Sequence, residues 1–178
     1  MGKTCLDKLT GNTLVSCEIP SHGISDLYLM YADDVTFGVS TAMVIQTAAF
    51  VPGAKSYRIE GYKQNIQVTS AIRSTDASNR MDISVLFKIP TSTGNTATNG
   101  LNIRSLLAGK FYIMFVNNGG VAFFTGINSL LECSGLDYDS NANGQLATVT
   151  LTFPDGSAGD YFWSTSDAAK NTIISKAS

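Results

Sequence analysis

Residues 106–153, LLAGKFYIMFVNNGGVAFFTGINSLLECSGLDYDSNANGQLATVTLTF, constrain the fold more than any other part of the chain. The run FYIMFV at 111–116 is aromatic and β-branched, and residues 121–127 return apolar after Asn117-Asn118-Gly119-Gly120. Asparagine and glycine tolerate positive φ, so apolar runs flanking them predict a tight β-hairpin. A second turn is predicted at Asn141-Ala142-Asn143-Gly144. Beyond it Ala147, Val149, Leu151 and Phe153 alternate with Thr148, Thr150 and Thr152. That period of two belongs to a strand with one buried face. The stretch therefore reads as a β-meander, and none of its residues has the look of a reactive group.

The same period recurs upstream. Ile66, Val68, Ser70 and Ile72 fall on one face of a strand, and Met81, Ile83, Val85, Phe87 and Ile89 on one face of the next, with turn-like residues at 74–79 between them. A long hairpin is predicted, ended by Pro90 and followed by the polar loop 91–100, TSTGNTATNG. Residues 101–108 carry Leu101, Arg104, Leu106 and Leu107 ahead of Gly109, which fits one short helix with glycine just past its end. Residues 24–31 and 35–40 flank Asp33-Asp34 as two consecutive strands or one bent strand. Residues 41–51 are apolar but poorly punctuated, and Pro52-Gly53 forces a turn. Residues 154–159 read as a turn, and Tyr161-Phe162-Trp163 as a last short strand or a docking patch. The expected organisation is an irregular arm over 1–23, a single β-domain over 24–163 and a polar tail over 164–178. The fold class expected is all-β, a β-sandwich or partly closed barrel with one short flanking helix.

At 178 residues the chain suits one domain that buries about two-thirds of its unfolded surface. Charged residues make up only 15%, so much of the surface must be neutral and polar or covered by neighbours, which favours self-association. Twelve basic against fourteen acidic side chains give a net charge of −2, with no basic cluster to neutralise a row of phosphates. Sequence-specific nucleic-acid binding is not expected. The first residues hold no apolar run of signal-peptide length and no run of 18 apolar residues occurs, so a cytoplasmic site of synthesis and no membrane span are expected. Cys5, Cys17 and Cys133 match no metal-binding spacing, and His22 is the single histidine, so neither metal nor other cofactor is expected.

Tyr31-Ala32-Asp33-Asp34 resembles the YxDD motif of reverse transcriptases, in which adjacent carboxylates on a turn hold magnesium. That chemistry needs a further Asp from well upstream and a template channel, and Asp7 and Asp26 are the sole upstream aspartates. A turn between strands uses Asp for local hydrogen bonding alone, the reading preferred here. Nucleophilic catalysis would have to use His22, and no serine or cysteine stands in a matching signature. Gly119-Gly120 lies in a hairpin turn with no helix after it, unlike a phosphate cradle. Tyr161, Phe162 and Trp163 could stack on a sugar or a base, but aromatic residues near the end of a β-domain more often close the core or an oligomer contact. No enzyme is expected.

The order GISDLYL at 23–29, the strand pair at 66–89, the helix ending in LLAGK, the hairpin FYIMFVNNGGVAFFTGINSLLECSGL and the closing GQLATVTLTF together resemble tail-tube-like and neck-tail structural proteins of tailed bacteriophages that infect Bacteroidetes, the crAss-like and related phages. The similarity spans about residues 17–153; the loop 91–100 and the residues beyond 153 depart from it. The resemblance implies a homo-oligomeric ring, a tail tube, hub or neck subunit in the virion tail, with neighbouring tail or neck proteins as partners and DNA passing through without specific binding. Thr93, Asn95 and Thr96 in the polar loop, with Tyr161, Phe162 and Trp163, are the expected oligomer contacts. The alternative is a carbohydrate- or ligand-binding β-sandwich of a virion decoration or fibre protein, with residues 161–163 as its platform.

Overall fold

Two strands run through the centre of the molecule, and their sequences explain why. A computed structural model of the chain describes residues 23–61, 65–74, 79–90, 103–138 and 146–177. In it β1 (Ile24–Tyr31) pairs antiparallel with β7 (Lys110–Asn117) along almost its whole length. Both strands are apolar without alternation, because each has a core on both faces. Leu27, Leu29, Phe111, Ile113 and Phe115 face one core, while Tyr28, Met30, Met114 and Val116 face another.

The first core is completed by strands that read with period two. β5 (Ile66–Ser74) and β6 (Asn79–Pro90) form the predicted hairpin in continuous register, Ile66 opposite Phe87 and Val68 opposite Val85. β10 (Leu146–Thr152) lies between β6 and β9 (Leu131–Tyr138), and turns Ala147, Val149 and Leu151 inward. β4 (Tyr57–Glu60) adds Ile59 from the outer edge of β1, and the short helix α1 (Ile103–Ala108) adds Leu106. These strands curl about one apolar centre, yet no hydrogen bonds join β4 to β5 among the described residues, so the sheet does not close.

The second core lies on the opposite face of β1 and β7, beneath β2 (Val35–Val39), β3 (Val44–Phe50), β8 (Ala122–Thr125) and β11 (Trp163–Thr165). The path of the sheet is β2-β3-β11-β8-β7-β9-β10-β6-β5, with β1 and β4 branching from β7. β8 and β9 share one edge of β7, opposite 113–116 and opposite 110–111, so the chain turns a corner between them from one layer into the other. The pairing of β11 with β3 is parallel, which makes the sheet mixed.

The β7–β8 turn forms at the predicted residues. Asn117 holds both ends, its N–H donating to Val121 O at 3.0 Å and its side-chain oxygen accepting from Val121 N–H at 2.9 Å. Gly120 sits at φ +79°, open to glycine with no steric cost. Asp33 and Asp34 lie in a 3-10 turn between β1 and β2, which pair with different strands, so the turn is a corner and not a hairpin. Residues 1–22 of the arm expected over 1–23, the loop 91–100 and the turn predicted at Asn141-Ala142-Asn143-Gly144 fall outside the described residues.

One expectation is corrected. Residues 164–178 were expected as a polar tail, with a single helix in the chain. They instead complete β11 and form a second helix, α2 (Asp167–Ser175), which buries Ala169 and Ile173 in the second core. Ser166 caps it, accepting from Ala169 N–H at 3.2 Å, and donates its hydroxyl to Gln46 O at 2.9 Å. Buried Ser56 donates its hydroxyl to Ile173 O at 2.7 Å and its N–H to Lys176 O at 3.1 Å. Two apolar positions four residues apart suffice when the helix lies on an existing sheet, although their sparse pattern looks polar by composition.

Candidate assembly surface

The aromatic segment 161–163 is positioned by a residue that composition gave no reason to notice. Asp160 is 1% exposed, and its carboxylate accepts four hydrogen bonds. Oδ2 takes the Gly126 N–H at 2.7 Å; Oδ1 takes Asn128 Nδ2 at 2.9 Å, the Tyr161 N–H at 2.7 Å and Trp163 Nε1 at 2.9 Å. A buried carboxylate is tolerable only with such a set of donors. Preceding it, Gly159 has φ +71°, and a Cβ there would collide with the carbonyl oxygen of Met81. The loop is thereby clamped across β6 and β8. A buried Asp one residue after a glycine and three before a tryptophan is a faint signal, visible only once the indole is known to turn inward.

The three aromatic residues are consequently separated by role. Trp163 is 8% exposed and belongs to the second core. Phe162 packs against the first, its ring 5.5 Å from that of Phe115 in an edge-to-face contact. Tyr161 alone presents a ring to solvent, at 51% exposure. A three-ring stacking platform is not available in this arrangement. Thr93, Asn95 and Thr96 lie outside the described residues, as do His22, Cys5 and Cys17.

Asp33 is exposed and lines a hollow of about 550 Å³ together with Tyr31, Tyr57 and Lys110. Lys110 is held by Glu132 at 3.2 Å. No group of three His, Cys, Asp or Glu side chains able to hold a metal occurs among the described residues. Cys133 is half-buried, and burial pushes its thiol above the ordinary range, which disfavours the nucleophilic thiolate. No helix among the described residues is long and apolar enough to cross a membrane.

The outer face of β5, β6 and β10 is nearly neutral, with Thr69, Ser84 and Thr152 in one row and Gln67, Leu86 and Thr150 in the next. Apart from Lys88, charge on this layer gathers at the end of the hairpin, where Asp82 bridges Arg73 at 2.6 Å and Arg80 at 2.9 Å. The sheet path ends in β2 and β5, each hydrogen-bonded on one side only among the described residues. Comparison with protein-family models, curated proteins and solved structures found no significant match to this chain.

Proposed function

We propose that this chain is a structural subunit of a tailed-phage virion, assembling as a homo-oligomeric ring in the tail tube, hub or neck and forming part of the wall of the DNA conduit. The observation that carries the reading is the open sheet: among the described residues β2, β4 and β5 are each hydrogen-bonded on one side only, edges that neighbours in a closed ring would cover. Low charge supports it, since a conduit must pass DNA without the lysine and arginine contacts that release counterions and hold it. The sequence resemblance over about residues 17–153 supplies the virion context. Neighbouring tail or neck proteins would stack on the ring, and no catalytic role is assigned.

The carbohydrate-binding alternative rested on rings 161–163, and only Tyr161 is presented. Light scattering on the eluting peak of a sizing column, with and without added glycans, distinguishes the two. A large discrete assembly indifferent to glycans supports the ring, and a monomer shifted by glycans supports the binder. Thr93, Asn95 and Thr96 are tested by removing residues 93–98. Shortening a loop changes its closure entropy by less than ~1 kcal/mol, so the melting temperature should hold while assembly weakens.

A further inference from the structure

Edge strands are ordinarily blunted by lysine, proline, a bulge or brevity. β5 has none of these. Its nine residues, IQVTSAIRS, run opposite β6 in unbroken register from Ile66↔Phe87 to Ser74↔Asn79. The strand overhangs the core, so Ile72 is 73% exposed although it shares a face with buried Ile66.

Antiparallel pairs alternate between those that exchange hydrogen bonds and those that do not. Lys88 N–H donates to Asn65 O, so the bonded pairs along the hairpin continue at 67, 69, 71 and 73. The peptide groups of Ile66, Val68, Ser70 and Ile72 therefore point away from β6. At the other end of the sheet Val51 N–H donates to Asp34 O, and the same alternation turns the peptide groups of Val35 and Phe37 away from β3. The two outward ladders are in phase in an antiparallel register that sets Ile72 opposite Val35 and Ser70 opposite Phe37. In that register Arg73, which bridges Asp82 at 2.6 Å within its own subunit but keeps 68% of its side chain exposed, falls opposite Asp34, with Asp33 next to it, so one guanidinium can serve both. Parallel pairing would carry the arginine to the far end of β2, away from both carboxylates.

We propose that the β5 edge of one copy of this chain receives the β2 edge of a second copy, antiparallel in this register, so that the sheet continues from subunit to subunit. The proposal rests on the ring reading for self-association and names the surfaces that make it. Because the two edges differ, each copy offers one of each, and the contact is head-to-tail: it closes into a ring or grows as a filament.

Ala71 and Thr36, both exposed, would then form a non-bonded pair with Cα atoms about 4.5 Å apart, close enough for a disulfide. The test oxidises the full chain carrying Ala71→Cys and Thr36→Cys, with Cys5 and Cys17 changed to Ser and Cys133 to Ala. A ladder of covalent multimers, collapsed by reductant, is expected. Each single variant should stay uncrosslinked alone, and the two mixed should give a covalent dimer only. Ser70→Pro, which removes an outward N–H and no bond to β6, should lose the multimers at an unchanged melting temperature; Ser70→Thr should keep them. If the parent chain assembles but the cysteine pair fails to crosslink and Ser70→Pro assembles normally, this interface is wrong and the ring reading survives. A monomeric parent with no crosslink overturns both. A covalent dimer from Ala71→Cys alone shows β5 edges meeting each other and overturns β2 as the partner.

Discussion

Asp160 shows how a single side chain can set the exposure of three others. Replacing it with Ala leaves the N–H groups of Gly126 and Tyr161, Asn128 Nδ2 and the Trp163 indole without their shared acceptor. Hydrogen bonds to a charged acceptor contribute about 1.5–3 kcal/mol each and are not additive, so a loss of about 3 kcal/mol is expected for Asp160→Ala. Trp163 is the only tryptophan, and urea titration followed by its emission reads the change directly. A loss below ~1 kcal/mol would mean that the clamp is dispensable. Asp33 and Asp34, by contrast, sit on a corner turn, and Asp33 is exposed. The double change Asp33→Asn with Asp34→Asn should leave the fold intact, read as an unaltered thermal melt of the unassembled subunit. Neither protein should incorporate nucleotides with magnesium; incorporation by the parent, lost in the variant, would contradict the structural assignment of this turn.

At the scale of elements, the legible parts of the sequence were those whose burial is one-sided. β5, β6 and β10 alternate because one face meets the core and the other meets solvent, and the β7–β8 turn is fixed by residues that tolerate its backbone. β3 and β11 were obscure for a different reason. β11 has three residues, beginning at Trp163 where the aromatic run read as a last short strand or a docking patch ends, and its place is set by pairing with β8 and β3, contacts too distant in sequence for a local pattern to specify. Helix α2 was hidden because tertiary contacts from Ser56, Gln46 and the second core anchor a weak amphipathic stripe. Nothing in the composition pointed to Asp160, whose role depends on where Gly126 and Trp163 meet. If α2 is integral, Ile173→Ala should cost about 2–5 kcal/mol, the range for truncating a fully buried isoleucine. Denaturant unfolding measures it, and exposed Asn171→Ala on the same helix serves as the control expected to change stability little.

On the scale of the whole molecule, two cores share the strands β1 and β7, so the central pair is fixed from both sides while the sheet runs out to open strands at its ends. A centre packed on both faces and edges left unpaired among the described residues together suit a subunit whose edges are finished by its neighbours. Low charge lessens the mutual repulsion that would oppose such packing. The claim on which all of this turns is self-assembly, and electron micrographs of the purified protein address it most directly. Rings or short stacked tubes with a central channel are the expected result. A field of uniform monomers at every concentration tried would contradict the conduit reading.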